Sequence, residues 1–226
     1  MKLKLIILMI ILTIASGLLL GTNSNQASNN ILGSDNKGLV IKNTYGHSDS
    51  GLKIAIITGM HPREISAKNV VPEVIKDYVN KHNVEIVNYQ INVTDQPENF
   101  QIGRQNGESL VAKYVIPDIK KSNYNLVIIC HNHVPGYGKG YYLATPTMDN
   151  KSISSAESIH SLLPDFNYYQ QNVNKSPEQS SINAVDYPMV STGTSVIVYE
   201  IPGLKGNDEV YNNTNRLFDS IFKIYN

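Results

Sequence analysis

Short apolar runs alternate with stretches of helical periodicity along most of this chain. The apolar runs occupy residues 52–59, 84–93, 124–133 and 194–203. The first, third and fourth are apolar almost throughout, as is typical of strands buried on both faces of a parallel sheet. Apolar residues recur at helical spacing in residues 64–80, 108–121 and 207–225. The alternation predicts an α/β domain in which helices cover both faces of a mainly parallel, mixed central sheet, which is a three-layer α/β/α fold.

The pattern is weaker at the start of the domain and in its second half. Residues 38–43 predict a short first strand, and residues 140–146 predict a further one. Residues 94–105 are polar and predict a loop. Residues 146–190 are polar and irregular, and we expect one short helix there, near residues 156–163.

The first residues have the composition of a targeting segment. Two lysines precede sixteen positions, residues 5–20, that are almost all apolar. This run is slightly long for the core of a signal peptide and slightly short for a membrane span, so both alternatives stay open. We predict that residues 1–21 are a signal peptide or an N-terminal membrane anchor, residues 22–37 a polar linker, and residues 38–226 a single domain. Either alternative makes the domain extracytoplasmic, secreted or anchored to the outer face of the cell membrane.

Charge and cysteine content narrow the classes of function. The chain has 19 Lys and Arg residues against 19 Asp and Glu residues, so its net charge is zero. Nucleic-acid binding normally needs a surplus of basic residues to neutralise phosphates, and we expect no nucleic-acid partner. Cys130 is the only cysteine, which excludes an intrachain disulfide and a cysteine-based zinc motif. Because Cys130 lies inside an apolar strand, we interpret it as a buried, inert thiol and not as a nucleophile.

Polar residues of unusual type stand where three of the apolar runs end. His61 and Glu64 follow the first run, His131 and His133 end the third, and Glu200 interrupts the fourth near its end. Parallel strands bring their carboxyl ends to one edge of a sheet, which is where sites form in such folds. Two imidazoles and a carboxylate are the ligands of a catalytic zinc site, and a second carboxylate can act there as general acid and base. Of the two histidines at the end of the third run, we prefer His131 as a ligand because it directly follows the apolar residues. We therefore predict that His61, Glu64 and His131 bind Zn²⁺ and that Glu200 is catalytic.

This ordered set of four residues, within the stretches TGMHPRE, CHNH and VYEIPG, resembles the zinc carboxypeptidase superfamily. The short spacing between the first two ligands and the third is closer to the succinylglutamate desuccinylase/aspartoacylase branch than to the digestive carboxypeptidases. The resemblance implies a zinc-carboxypeptidase-like fold and a catalytic arginine that stabilises the oxyanion, for which Arg104 is the candidate, with Asn106 beside it. The chain departs from the family in lacking an Asp-Leu-Asn-Arg stretch and in having Pro62 in the metal-binding turn.

The function we predict is that of an extracytoplasmic, zinc-dependent hydrolase that cleaves an amide bond. Its substrate would be a peptide, a cell-wall peptide or an N-acyl amino acid. Asn106, His133 and Tyr137 are the residues that we expect to contact this substrate. The alternative is a non-catalytic, membrane-tethered binding module on a degenerate metallopeptidase fold, which the missing substrate-binding stretch favours.

Overall fold

Eight strands form one mixed sheet in the computed structural model, which describes residues 28–49, 51–170 and 181–225. The strands are β1 (Ser28–Asp35), β2 (Gly38–Gly46), β3 (Lys53–Thr58), β4 (Glu85–Val93), β5 (Leu126–His133), β6 (Tyr142–Thr145), β7 (Asn167–Gln170) and β8 (Ser195–Pro202). Their order in the sheet is β1-β2-β4-β3-β5-β8-β6-β7. The central strands β4, β3, β5 and β8 are parallel, whereas β2 and β6 run antiparallel to their neighbours β4 and β8. The mainly parallel, mixed sheet predicted from the apolar runs is confirmed.

Helices cover both faces of this sheet. They are α1 (Ile65–Val79), α2 (Phe100–Leu110), α3 (Ile116–Lys120), α4 (Asn150–Leu162), α5 (Tyr187–Val190) and α6 (Asn207–Tyr225), and π-helical turns Val111–Val115 and Ile182–Asp186 precede α3 and α5. Helices α1, α4 and α6 contribute to the apolar core on one face of the sheet. Helices α2, α3 and α5 contribute to the core on the other face. The predicted three-layer α/β/α architecture is therefore confirmed.

The central strands separate two apolar cores, because successive side chains of a strand point to opposite faces. On β3, Ile54 and Ile56 belong to the core under α1, whereas Ala55 and Ile57 belong to the core under α2. All four side chains are at most 1% exposed. Burying one aliphatic side chain of the larger kind contributes about 1.5–3 kcal/mol to stability, so a strand with two buried faces has an almost entirely apolar sequence.

The predicted polar linker over residues 22–37 is wrong in its second half. Ser28–Asp35 forms β1, which pairs antiparallel with β2 at the edge of the sheet. The segment is rich in Asn and Ser and has no strand pattern, so its place in the sheet depends on tertiary contacts. One such contact is the Tyr114 hydroxyl, which donates a hydrogen bond of 2.7 Å to the carbonyl oxygen of Ser34. The sheet therefore includes residues ahead of Gly38, where we expected the domain to start.

Two helices begin earlier than the sequence predicted. Helix α2 begins at Phe100, inside the stretch expected to be a loop, and α4 begins at Asn150, ahead of the short helix expected near residue 156. Asn99 and Asp149 cap these helices, since each side chain accepts a hydrogen bond from a backbone amide of the first turn. The apolar residues in these first turns do not recur at helical spacing, so the sequence pattern does not mark where either helix begins.

The predicted signal peptide or membrane anchor, residues 1–21, lies outside the described residues. Across residues 28–49, 51–170 and 181–225, no helix combines the length and the apolar character needed to cross a membrane. The location of the domain stays a prediction.

Candidate metal centre

Three of the predicted site residues meet at the edge of the sheet where the central parallel strands end. His61 follows β3, Glu64 is the N-cap residue of α1, and His131 lies near the end of β5. One potential ligand atom from each residue lies within 4.8 Å of the other two. Nδ1 of His61 is 2.8 Å from Oε1 of Glu64, and Nδ1 of His131 is 2.6 Å from Oε2 of the same carboxylate. The structure thus brings together the three residues that we predicted to bind metal.

The donor atoms and their surroundings suit a divalent metal ion. Both imidazoles direct Nδ1 towards the Glu64 carboxylate, and the rings stack with centroids 4.3 Å apart. His61 is 3% exposed and His131 is 7% exposed, so the cluster is largely shielded from water. Two imidazoles and one carboxylate are a common ligand set of catalytic zinc sites, which keep the fourth position for water. The residues present therefore fit a zinc ion held by three protein ligands.

Nδ1 of His61 faces two groups with opposite requirements. Oε1 of Glu64, at 2.8 Å, requires an N–H donor, whereas Nη1 of Arg104, at 3.0 Å, requires a lone pair. One ring nitrogen cannot be donor and acceptor at once. A metal ion also requires the lone pair, and in that tautomer the ring proton is on Nε2. Nε2 of His61 lies 3.3 Å from Oε1 of Glu108, which can accept its hydrogen bond.

Glu108 is a site residue that sequence reasoning missed. It lies on α2 and is only 3% exposed. Metal-binding histidines usually donate their second N–H to a carboxylate or a carbonyl, which sets the tautomer and the orientation of the ring. Glu108 is placed to do this for His61. The sequence shows Glu108 only as an acid in a predicted helix, and its burial follows from the packing of α2 in the structure.

Close packing of α2 against the turn after β3, which carries His61 and Glu64, depends on glycine. A Cβ atom on Gly107 would lie 1.7 Å from the carbonyl oxygen of Met60, the residue before His61. Gly103, one helical turn earlier, would meet another backbone carbonyl oxygen at 2.9 Å. The residues that follow these glycines, Glu108 and Arg104, both contact the imidazole of His61. The glycines therefore let two charged side chains approach the same imidazole.

Burial and ion pairing act in opposite directions on the charges of the cluster. Burial raises the pKa of Glu64, but the electrostatic effects and hydrogen bonds of the neighbouring His131 and His61 outweigh burial and hold this pKa well below its usual range. Burial lowers the pKa of His131, but the Glu64 carboxylate outweighs burial and raises the pKa to about 9. Without metal, His131 is therefore an imidazolium paired with a carboxylate at neutral pH.

Glu200 lies beside His131 in the sheet. The two residues are partners in the register of β5 and β8. Oε2 of Glu200 is buried and has no hydrogen-bond partner among the described residues. Burial raises the pKa of Glu200 to about 7, against the effect of His131, which lowers it. Asp186, a second buried acid near His131 that sequence reasoning missed, has its pKa raised by burial to about 7 as well.

Arg104 reaches the cluster from α2. Its Nη1 lies 3.4 Å from Oε1 of Glu64, in addition to its contact with His61. The guanidinium also lies over the ring of Phe100, which is 65% exposed. An open cavity lies here, lined by His61, Pro62, Arg63, Glu64, Pro97, Asn99, Phe100 and Arg104. The predicted oxyanion-stabilising residue thus faces the same cavity as two of the predicted metal ligands.

The three residues that we expected to contact substrate lie outside the cluster. Asn106 is buried, and its Nδ2 donates a hydrogen bond of 3.0 Å to the carbonyl oxygen of Asp95, so its amide supports a loop. His133 is buried, and its Nε2 donates to the carbonyl oxygen of Gly140 over 2.9 Å. Tyr137 is 70% exposed. Contact of these residues with a substrate stays a prediction.

Cys130 lies in the apolar core under α1. Burial raises the pKa of its thiol well above the ordinary value, with a smaller effect of the Glu200 charge in the same direction. A thiol in such a place is a poor nucleophile, in accord with the interpretation of Cys130 as inert.

Comparison with known proteins finds likeness in structure. No family profile and no curated protein sequence matches the chain. A metallo-carboxypeptidase from Burkholderia cenocepacia matches with a TM-score of 0.63 at 13% identity, over 89% of this chain and 65% of that one. An aspartoacylase family protein from Mesorhizobium loti matches with a TM-score of 0.55 at 10% identity, over 87% of this chain and 67% of that one. A product-bound cell shape determinant protein, Csd4 from Helicobacter pylori, has a TM-score of 0.56 at 9% identity, over 82% of this chain and 55% of that one.

The fold of this chain is that of the metallo-carboxypeptidase class. The structural neighbours of this chain include a metallo-carboxypeptidase and an aspartoacylase family protein. The predicted resemblance to the zinc carboxypeptidase superfamily, with its aspartoacylase branch, is therefore confirmed for the fold. The chain spans less than two thirds of the length of the metallo-carboxypeptidase that it matches.

Proposed function

We propose that this protein is an extracytoplasmic, zinc-dependent hydrolase that cleaves an amide bond. The observation that carries the proposal is the convergence of His61, Glu64 and His131 beside Glu200, whose buried carboxylate has an unpaired oxygen. The shared fold with metallo-carboxypeptidase-like and aspartoacylase-like proteins supports it. The proposed substrate is a peptide, a cell-wall peptide or an N-acyl amino acid.

Each site residue has a proposed role that follows from its chemistry. His61, Glu64 and His131 hold Zn²⁺, which when bound polarises a carbonyl group and lowers the pKa of water to about 7. Glu200 takes the proton from the attacking water and delivers it to the leaving nitrogen, a transfer for which a pKa of about 7 is suitable. Arg104 stabilises the oxyanion, because a guanidinium keeps its charge and offers several donors.

A cell-wall peptide is the substrate that accords best with the predicted targeting segment. A domain that is secreted or anchored to the outer face of the membrane meets wall peptides more readily than cytoplasmic N-acyl amino acids. One structural neighbour is described as a cell shape determinant protein, and this supports the same choice because the wall maintains cell shape.

The second candidate function is that of a binding module without catalysis. It is favoured by the missing Asp-Leu-Asn-Arg stretch and by Asn106, whose amide is engaged with Asp95 and not with the cavity. In this case the domain would retain the fold and bind a surface peptide without cleaving it.

Zinc content and hydrolysis, measured on three proteins, test the proposal. Wild type prepared with excess metal should hold about one zinc ion per chain and cleave a member of a panel of peptides, cell-wall peptides and N-acyl amino acids. Glu200→Gln should keep zinc and lose about 10²–10⁴-fold in kcat, because the amide cannot accept the proton. His61→Ala should lose zinc and activity together.

The outcomes separate the two candidates. Full hydrolysis by Glu200→Gln would remove the proposed mechanism. A wild type that stays free of zinc, or that holds zinc and cleaves nothing in the panel while still binding peptide, would favour the binding module.

A further inference from the structure

The first turn of α1 obtains its capping acceptor from a distant strand. Glu64 is the N-cap residue of α1, but its side chain makes no capping hydrogen bond. Its two carboxylate oxygens face His61 and His131 instead. The first amides of a helix have no partner within the helix, and the N-cap side chain normally supplies one by accepting from the second or third helical amide. Because the Glu64 side chain faces the two histidines, it does not supply an acceptor for these helical amides.

Asn132, from β5, supplies the missing acceptor. Its Oδ1 accepts a hydrogen bond of 2.8 Å from the amide of Ala67, which is the third residue of α1. This is an amide that an N-cap side chain would normally reach. Asn132 lies 65 residues away in the sequence, and its Nδ2 also approaches the carbonyl oxygen of Ile201 on β8, at 3.5 Å.

Asn132 also contacts the ligand carboxylate directly. Its backbone amide donates a hydrogen bond of 3.2 Å to Oε2 of Glu64, the oxygen that His131 approaches to 2.6 Å. Asn132 thus contacts both the helix that carries Glu64 and the carboxylate itself. The amide side chain is neutral, so it caps the helix without placing a further negative charge beside Glu64.

We propose that Asn132 is a positioning residue of the metal site, and that its capping of α1 leaves the Glu64 carboxylate available as a metal ligand. Without this side chain, the amide of Ala67 loses its acceptor, and Glu64, as the N-cap residue, is the residue whose side chain would ordinarily replace it. If the Glu64 carboxylate rotated towards the first helical amides, it would move away from the two histidines. The inference rests on the metal site of the proposed function and adds a residue to it.

Three substitutions in the full chain test this role. Asn132→Ala removes the acceptor, and Asn132→Asp retains one, since Asp caps helices as well as Asn does. Asp149→Ala is the matched control, because Asp149 caps α4 through the amide of Ser152 and lies outside the cluster. The readouts are the zinc dissociation constant by competition with a chelator, the visible spectrum of the Co²⁺-substituted protein, and the Tm of the metal-free protein.

Asn132→Ala should weaken zinc binding about 10–100-fold, the usual effect of losing a group that orients a ligand, and should change the Co²⁺ spectrum. Asn132→Asp should bind zinc more tightly than Asn132→Ala does, because it keeps the capping acceptor although it adds a negative charge. Asp149→Ala should lower the Tm about as much as Asn132→Ala does while keeping wild-type zinc affinity. Should Asn132→Ala fail to fold, Asn132→Ser gives the same comparison with a shorter acceptor, and weakened zinc binding is again expected.

The inference would be overturned if Asn132→Ala kept wild-type zinc affinity while its Tm fell as in the Asp149→Ala control. Asn132 would then be a purely structural cap. Equal weakening in Asn132→Asp and Asn132→Ala would overturn the capping explanation. Failure of the wild type to bind zinc is a different result, because it removes the proposed function before Asn132 is tested.

Discussion

His131 illustrates how single residues of this site depend on their partners. Its side chain is buried, and a charged imidazole in such a place is costly unless an anion faces it. The Glu64 carboxylate, 2.6 Å away, outweighs the opposing effect of burial and raises the pKa of His131 to about 9 from the ordinary 6.5. Because this pKa is raised in the folded state, its contribution to stability is fully present below pH 6.5 and is lost as pH rises through about 9.

Glu64→Gln should therefore lower the pKa of His131 from about 9, because the largest effect that opposes burial is lost. NMR titration of the imidazole in the metal-free protein measures this change. Wild type should have a larger free energy of unfolding than the variant at pH 6.5. This difference should shrink by about 1–3 kcal/mol as pH rises from 6.5 to above 9, and denaturant unfolding in the presence of a chelator measures it. A stability difference that does not change over this range would contradict the pairing.

At the scale of elements, α2 connects the open cavity with the buried end of the cluster. Phe100, Arg104 and Glu108 are spaced four residues apart and so lie on one side of the helix. Phe100 is exposed at the cavity, Arg104 contacts both His61 and a ligand oxygen, and Glu108 is buried against the far nitrogen of the same imidazole. The position of α2 relative to the turn after β3 therefore decides whether these side chains reach the site.

Gly107→Ala tests the close approach of α2. In an ordinary helix interior this change stabilises by about 1 kcal/mol, because Ala is the better helix former. Here the new Cβ would lie 1.7 Å from the carbonyl oxygen of Met60, and overpacking of this kind costs about 1–3 kcal/mol or more, so the net effect should be a loss of stability. Zinc affinity should fall as well, because Glu108 moves with the helix.

Gly206→Ala is the control for this prediction, because its Cβ would have no atom within 4 Å. Zinc competition should show no change in the control and a clear loss in Gly107→Ala. Thermal unfolding should show a smaller loss in the control, because Gly206 lies at the N-cap of α6, where Ala is poorer than Gly. Equal behaviour of the two variants would mean that the approach of α2 does not matter to the site.

At the scale of the whole molecule, the cluster exists only when the sheet is assembled. His61 and Glu64 come from the turn between β3 and α1, His131 comes from β5, and Glu200 comes from β8. Between Glu64 and His131 the chain passes through α1, β4, α2 and α3, so an unfolded chain does not hold these ligands together. A metal ion bound by all three ligands therefore binds the folded state in preference to the unfolded one.

Zinc should accordingly raise the Tm of the protein, in proportion to the logarithm of its concentration above Kd. At a free zinc concentration of about 100 times Kd, the added stability is about 2.7 kcal/mol. Thermal unfolding with zinc, and again after a chelator, measures the shift. His61→Ala is the control and should show almost no shift. A shift of equal size in that variant would place the stabilising metal somewhere else.

The sequence predicted the centre of the fold better than its periphery. Strands β3, β5 and β8 are buried on both faces, and burial on both faces demands an apolar run that can be recognised without a structure. The edge strand β1 is mostly polar and pairs on one side. The first turns of α2 and α4 have no apolar residues at helical spacing, and capping side chains set where these helices begin.

The site divides in the same way. The sequence by itself showed that two imidazoles and two carboxylates stand at or just after the ends of buried strands. These groups meet because the carboxyl ends of parallel strands lie at one edge of the sheet. Only the tertiary structure decided that Glu108 reaches His61, that Asn132 caps α1, and that Asn106 turns to Asp95. These contacts depend on the approach of separate elements to within hydrogen-bond distance, and no local pattern of residues encodes that approach.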